Sequence, residues 1–126
     1  MARIVVAEDD PDIRHVIVRV LRRAGHAVTE AADGGTALEH VRETQPDVVV
    51  SDIDMPRMSG VALCQAIRAD QALAELPVIF VSGSLIPGDT RPADARATAV
   101  LNKPFVPRDL LACLDAVLAA PGHAVG

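Results

Sequence analysis

The sequence predicts a doubly wound α/β domain: a five-stranded parallel sheet in the order 2-1-3-4-5, with helices on both faces. Three observations predict it. Short apolar runs alternate five times with helix-period segments along 126 residues, the length of one domain. The runs Ile4–Ala7, Val48–Val50 and Val78–Val81 are unbroken, the pattern of strands covered on both faces. Ala27–Ala31 is half polar, as an edge strand would be, and right-handed crossovers around that edge suit the order given.

Ile4-Val5-Val6-Ala7 reads as the first buried strand. Ile13, Val16, Ile17, Val20, Leu21 and Ala24 then form one helical stripe. Asp10 supplies its N-cap, Pro11 its first turn and Gly25 its end. After the edge strand, a second helix over Gly34–Thr44 carries Ala37, Leu38 and Val41, and Pro46 breaks it. The β-branched run Val48–Val50 is the central strand. A third helix over Val61–Asp70 turns Leu63, Cys64 and Ile67 inward, and Pro77 precedes the fourth strand. Gly83, Pro87, Gly88 and Pro92 predict a long loop, with a short fourth helix over residues 93–98. Ala99–Leu101 is the fifth strand, and Leu110, Leu111, Leu114, Val117 and Leu118 mark the last helix. Pro121-Gly122 closes the order, so the domain is expected over 1–120, with a fraying tail over 121–126.

Composition narrows the function. Phe80 and Phe105 are the only aromatic residues, which argues against base-stacking nucleic-acid modules. A net charge of −5 disfavours nucleic acid and anionic membranes as partners. Cys64 and Cys113 are too few for a disulfide framework and read as free thiols. No apolar run is long enough for a membrane span and none has the form of a signal peptide, so a cytoplasmic protein is expected. His15, His40 and His123, and Arg19, Arg22 and Arg23, read as solvated, and His26 follows Gly25 in a turn.

In such a sheet, ligands sit beyond the carboxyl ends of the strands. Glu8, Asp9 and Asp10 follow the first strand there, Asp52 and Asp54 the third, Ser82 the fourth and Lys103 the fifth. Asp10 is read as a cap. Glu8, Asp9 and Asp52 should converge, and carboxylates so close repel unless a hard cation such as Mg²⁺ joins them. With Lys103 as a point charge and Ser82 as a donor, the set suits phosphoryl transfer to Asp52 as nucleophile.

The segments Val5-Val6-Ala7-Glu8-Asp9-Asp10-Pro11, Val49-Val50-Ser51-Asp52-Ile53-Asp54-Met55-Pro56 with Ser59-Gly60, Pro77 to Ser82, and Asn102-Lys103-Pro104-Phe105 together resemble a response-regulator receiver domain of two-component signalling. The resemblance is to the chemotaxis-regulator type and implies a flavodoxin-like fold. It implies Asp52 as phosphoacceptor from a sensor histidine kinase or phosphotransfer protein. Mg²⁺ would be held by Glu8, Asp9, Asp52 and the backbone carbonyl of Asp54. Ser82 would be the switch hydroxyl, Lys103 the partner of the phosphoryl group, and Lys103-Pro104 a cis bond. Asp54 and Ser84 stand where side chains tune the phosphoryl lifetime. The output partner or domain is not implied. Val100 replaces the ring usual in the family, and 83–98 departs from its regular fourth helix, so the usual dimerisation is not expected to carry over.

Two other readings compete. Asp52-Ile53-Asp54 resembles the nucleophile and acid pair of haloacid-dehalogenase-type phosphatases, but on the third strand and with Pro56 where that family has Thr or Val. A binding-only receiver, never phosphorylated, would keep the fold but usually lose the aspartate or the lysine. A P-loop over 83–88 is excluded because Asp89-Thr90 follows it, not Lys-Ser/Thr.

Overall fold

A computed structural model describes residues 1–119. Its elements are β1 (Arg3–Ala7), α1 (Pro11–Arg23), β2 (Ala27–Ala31), α2 (Gly34–Thr44), β3 (Val48–Asp52), α3 (Gly60–Ala69), β4 (Val78–Ser82), α4 (Arg91–Asp94), β5 (Ala99–Asn102) and α5 (Pro107–Leu118). All neighbouring strands are parallel, in the order β2-β1-β3-β4-β5. The expected tail over 121–126 lies outside the described residues.

Alternation along the strands divides the core into two layers. Val5, Ala7, Val49, Val78 and Phe80 face α2 and α3. Ile4, Val6, Val48, Val50, Ile79 and Val81 face α1 and α5. Every residue of β3 and β4 is buried, as their unbroken apolar runs require. Phe80 is fully buried, the largest side chain in the core. Burying such a ring stabilises the fold by about 1.5–3 kcal/mol.

The helix ends follow their local chemistry. Asp10 Oδ1 accepts hydrogen bonds from the amides of Asp12 (2.9 Å) and Ile13 (3.2 Å), and Pro11 opens the helix behind it. Asp33 and Ser59 cap α2 and α3 by accepting from Thr36 and Ala62.

Two expectations need correction. Val16 is exposed and Val18 buried, because α1 packs against the sheet and α5 together and its buried arc is rotated from the stripe read. The fourth helix starts at Arg91 rather than 93, since Pro92 stands in its first turn as an initiator rather than a breaker. Arg96, at φ 59, then lies just past its end. His26, in the turn after α1, accepts through Nδ1 from the Ala2 amide at 3.0 Å. Arg22 is exposed, as expected of the solvated helix face, and also donates to the Val28 carbonyl at 3.1 Å. Both cysteines are free, Cys64 buried and Cys113 half-buried.

The turn after β3 depends on one glycine. The Gly60 amide donates to the Ile53 carbonyl at 2.7 Å, and a Cβ on Gly60 would stand 2.0 Å from the Asp52 carbonyl oxygen. Both neighbours are backbone and cannot swing aside. Gly60→Ala is therefore expected to cost about 1–3 kcal/mol. Thermal unfolding should show the midpoint lowered by roughly 4 °C or more.

Candidate phosphoryl-transfer site

Parallel strands end at one edge, so the residues that close β3 and β4 meet there with those that follow β1 and β5. Glu8 is 1% exposed and Ser82 equally buried, Asp52 lies nearly buried between them, and Asp9 is exposed. Carboxylate oxygens of Glu8, Asp9 and Asp52 all lie within 4.8 Å of one another. The expected convergence is present.

Lys103 reaches into this cluster from the far strand. Its Nζ lies 2.7 Å from Glu8 Oε1 and 3.4 Å from Asp52 Oδ2. The Lys103-Pro104 bond that turns the chain here is cis. Asp52 Oδ1 accepts from the Ile53 amide at 2.7 Å, which sets the plane of the carboxylate. Gly83 sits beside the lysine, and a Cβ there would be in ordinary contact with the Lys103 side chain at 3.6 Å, so the glycine is not sterically required.

The electrostatics follow from burial. Burial pushes the Glu8 carboxyl up to about 7, with Lys103 opposing the rise and Asp52 adding to it. Burial also disfavours the charged form of Lys103, but Glu8 and Asp52 together outweigh it and hold the ammonium pKa above its ordinary value. In metal-free protein Glu8 gives stability a pH slope. Unfolded, it ionises near 4.5; folded, near about 7; between these the folded state holds the extra proton, so stability falls as pH rises. Glu8→Gln is expected to flatten that fall by about 2–3 kcal/mol. Urea unfolding from pH 4.5 to 8 in chelator checks this; parallel curves for both proteins would contradict it.

Asp54 is placed differently from the other carboxylates. Its side chain is exposed and stands outside the group of three, accepting from Ser84 Oγ at 2.6 Å and pairing with Arg91 at 3.3 Å. Two arginines escaped the sequence reading. Arg14 donates to the Glu8 carbonyl at 2.8 Å and pairs with Glu30 at 3.2 Å, anchoring the end of β1. Arg91 pairs with both Asp54 and Asp89. The Asp89-Thr90-Arg91 spacing could have suggested the local pair, but no spacing in the chain links Arg91 to Asp54. Val100 lies exposed on the outer strand, in register with Phe80.

The fold and the site together define a doubly wound α/β domain with three converging carboxylates at one sheet edge, closed by one lysine. The chain belongs to the family described as response regulator receiver domain, whose model matches residues 4–115. It is similar to the response regulator receiver protein CpdR of Brucella abortus, at 37% identity over 95% of this chain and 99% of that protein. Its structure is similar to the chemotaxis response regulator CheY4 of Vibrio cholerae, with a TM-score of 0.87 and 33% identity over 94% of this chain and 99% of the other. It is also similar to the receiver domain of sensor histidine kinase PA1611 from Pseudomonas aeruginosa PAO1, solved with a magnesium ion coordinated in its active-site cleft. There the TM-score is 0.88 and the identity 28%, over 94% of this chain and 98% of the other. The chain spans about half the length of several other relatives, DNA-binding regulators among them. Among the described residues, no helix is long and apolar enough to cross a membrane.

Proposed function

We propose that this domain is a phosphorylation switch in which Asp52 takes a phosphoryl group from the phosphohistidine of a sensor kinase or phosphotransfer protein. The observation that carries the reading is the set of three converging carboxylates with Lys103 Nζ 3.4 Å from Asp52. A carboxylate oxygen of Asp52 attacks phosphorus, the bond from phosphorus to the donor nitrogen breaks, and an acyl phosphate forms. Lys103, already between Glu8 and Asp52, supplies a positive charge for the phosphoryl oxygens. Ser82, buried at the end of β4, supplies a hydrogen-bond donor once its hydroxyl turns toward them.

The donor set fits Mg²⁺. Three carboxylates share the space, one fully buried, and one lysine does not balance them. Glu8, Asp9, Asp52 and the backbone carbonyl of Asp54 would hold the ion. When bound, it supplies charge stabilisation for the transferring phosphoryl group. The new contacts to Ser82 and Lys103 then bias the loops after β3 and β4 toward a second arrangement that a downstream partner or output domain reads.

Incubation with acetyl phosphate and Mg²⁺, followed by intact mass measurement, tests the reading. One labile addition of about 80 Da per chain is expected, the mass of a phosphoryl group. No addition would favour the binding-only receiver. Repeated turnover of a phosphate ester would favour the phosphatase.

A further inference from the structure

The mouth of the site is crossed by a chain of hydrogen bonds whose direction can be worked out from proton counts. Asp54 Oδ2 is a carboxylate oxygen and only accepts, so Ser84 donates its one hydroxyl proton to it, at 2.6 Å. Ser84 Oγ lies 3.0 Å from Ser82 Oγ, and with its own proton engaged it accepts there. The Ser82 hydroxyl is therefore the donor, and its proton points toward Ser84. The Ser84 amide closes the pair by donating to Ser82 Oγ at 3.1 Å.

The far end of this chain is anchored by Arg91. Its Nη1 lies 3.3 Å from Asp54 Oδ1 and its Nη2 3.5 Å from Ser84 Oγ. Asp89 holds the guanidinium in place, accepting from Nε at 3.2 Å and from Nη2 at 3.0 Å, and also accepts from the Arg91 amide at 2.9 Å. The Arg91 hydrogen bonds hold the Asp89 carboxyl below its ordinary range, so both partners stay charged. Among the described residues, the contacts of Asp54 with Ser84 and Arg91 are the only hydrogen bonds joining segment 83–91 to the loop after β3.

We propose that Arg91 is a positioning residue for the Ser82 hydroxyl: by fixing Asp54 it anchors the one-way chain from Ser82 through Ser84 to Asp54 and keeps the Ser82 proton turned away from Asp52. The inference rests on the reading of Asp52 as phosphoacceptor. For Ser82 to donate to a phosphoryl oxygen on Asp52, its proton must leave Ser84, so the clasp opposes the phosphorylated arrangement. Asp54 and Arg91 are both partly exposed, and an ion pair of that kind shifts an equilibrium by about two- to five-fold.

The test uses R91Q and S84A, with R96Q as a control that removes the same charge from an exposed residue just past α4. Beryllofluoride with Mg²⁺ is the probe, its apparent affinity read by NMR titration, and amide hydrogen exchange at residue 84 is measured without it. R91Q and S84A are expected to bind beryllofluoride about two- to five-fold tighter than the wild type and R96Q. The residue-84 amide is expected to exchange faster in R91Q by a similar factor. Unchanged exchange in R91Q overturns the clasp whatever the binding result. Beryllofluoride bound by wild type, but no tighter by R91Q than by R96Q, overturns the clasp and leaves the phosphoacceptor reading standing. No binding by wild type overturns the phosphoacceptor reading, and with it the role assigned to Arg91.

Discussion

Asp52→Asn is expected to abolish phosphoryl uptake and, with metal withheld, to make the domain more stable. The amide keeps the shape of the carboxylate and retains an oxygen for the Ile53 amide at 2.7 Å, so the turn after β3 is preserved. It is a far weaker nucleophile, and no other carboxylate replaces it. Glu8 is buried and paired to Lys103, and Asp54 is turned out toward Ser84 and Arg91. Intact mass after acetyl phosphate treatment should show no addition in the variant.

The stability gain has a separate origin. Asp52 is one of the groups that raise the Glu8 carboxyl to about 7. With its charge gone, Glu8 ionises more readily and pairs better with Lys103. Relief of one such repulsion at this depth is expected to add about 1 kcal/mol at pH 8 in chelator. Added Mg²⁺ should then stabilise the variant less than the parent, because one carboxylate is missing from the donor set. Urea unfolding with and without Mg²⁺ checks both. A variant that still takes up one phosphoryl group would remove Asp52 from its assigned role. A variant no more stable than the parent would show that the acidic cluster is not strained.

The parts of this site legible in the sequence are those that topology places. A strand covered on both faces needs an unbroken apolar run, and Val48–Val50 and Val78–Val81 are such runs. Once the strands are parallel, the residues that follow them share an edge, so Glu8, Asp9, Asp52, Ser82 and Lys103 could be grouped before any distance was known. Asp10-Pro11 was legible because a helix cap and the proline behind it are local chemistry, whereas Ser59-Gly60 entered only through the family resemblance. What stayed hidden depends on rotation or on distant partners. The choice between Val16 and Val18 turns on how α1 sits against α5, which helical period alone does not state. Pro92 both breaks and begins helices, and only what precedes it in space decides which. Arg91 meets Asp54 across 37 residues of chain, and Arg14 meets Glu30 across 16, with no periodicity to betray either contact.

Lys103 carries the second large effect. Lys103→Ala is expected to slow phosphoryl uptake by about 100-fold or more, the usual loss when a charge aimed at a developing anion is removed. Lys103→Arg should recover only part of it, because a planar guanidinium does not reproduce a compact ammonium between Glu8 Oε1 at 2.7 Å and Asp52 Oδ2 at 3.4 Å. The effect on stability is expected to depend on pH, and its sign can be worked out. Lys103 opposes the rise of the Glu8 carboxyl, so removing it pushes that carboxyl above about 7. At pH 5 Glu8 holds its proton with or without the lysine, and the variant loses chiefly the contact with Asp52. At pH 8.5 the parent holds an ionised, paired Glu8, whereas the variant must bury an unpaired charge or take up a proton. The extra cost there is about 2–3 kcal/mol, limited by the proton uptake that a raised carboxyl allows. Gly83→Ala is the matched control, since its added methyl would touch the Lys103 side chain at an ordinary 3.6 Å and leave its charge in place. Unfolding curves at pH 5 and 8.5 in chelator check the argument. A Lys103→Ala cost equal at both values would mean that the lysine is held by packing and that its charge contributes little to the fold.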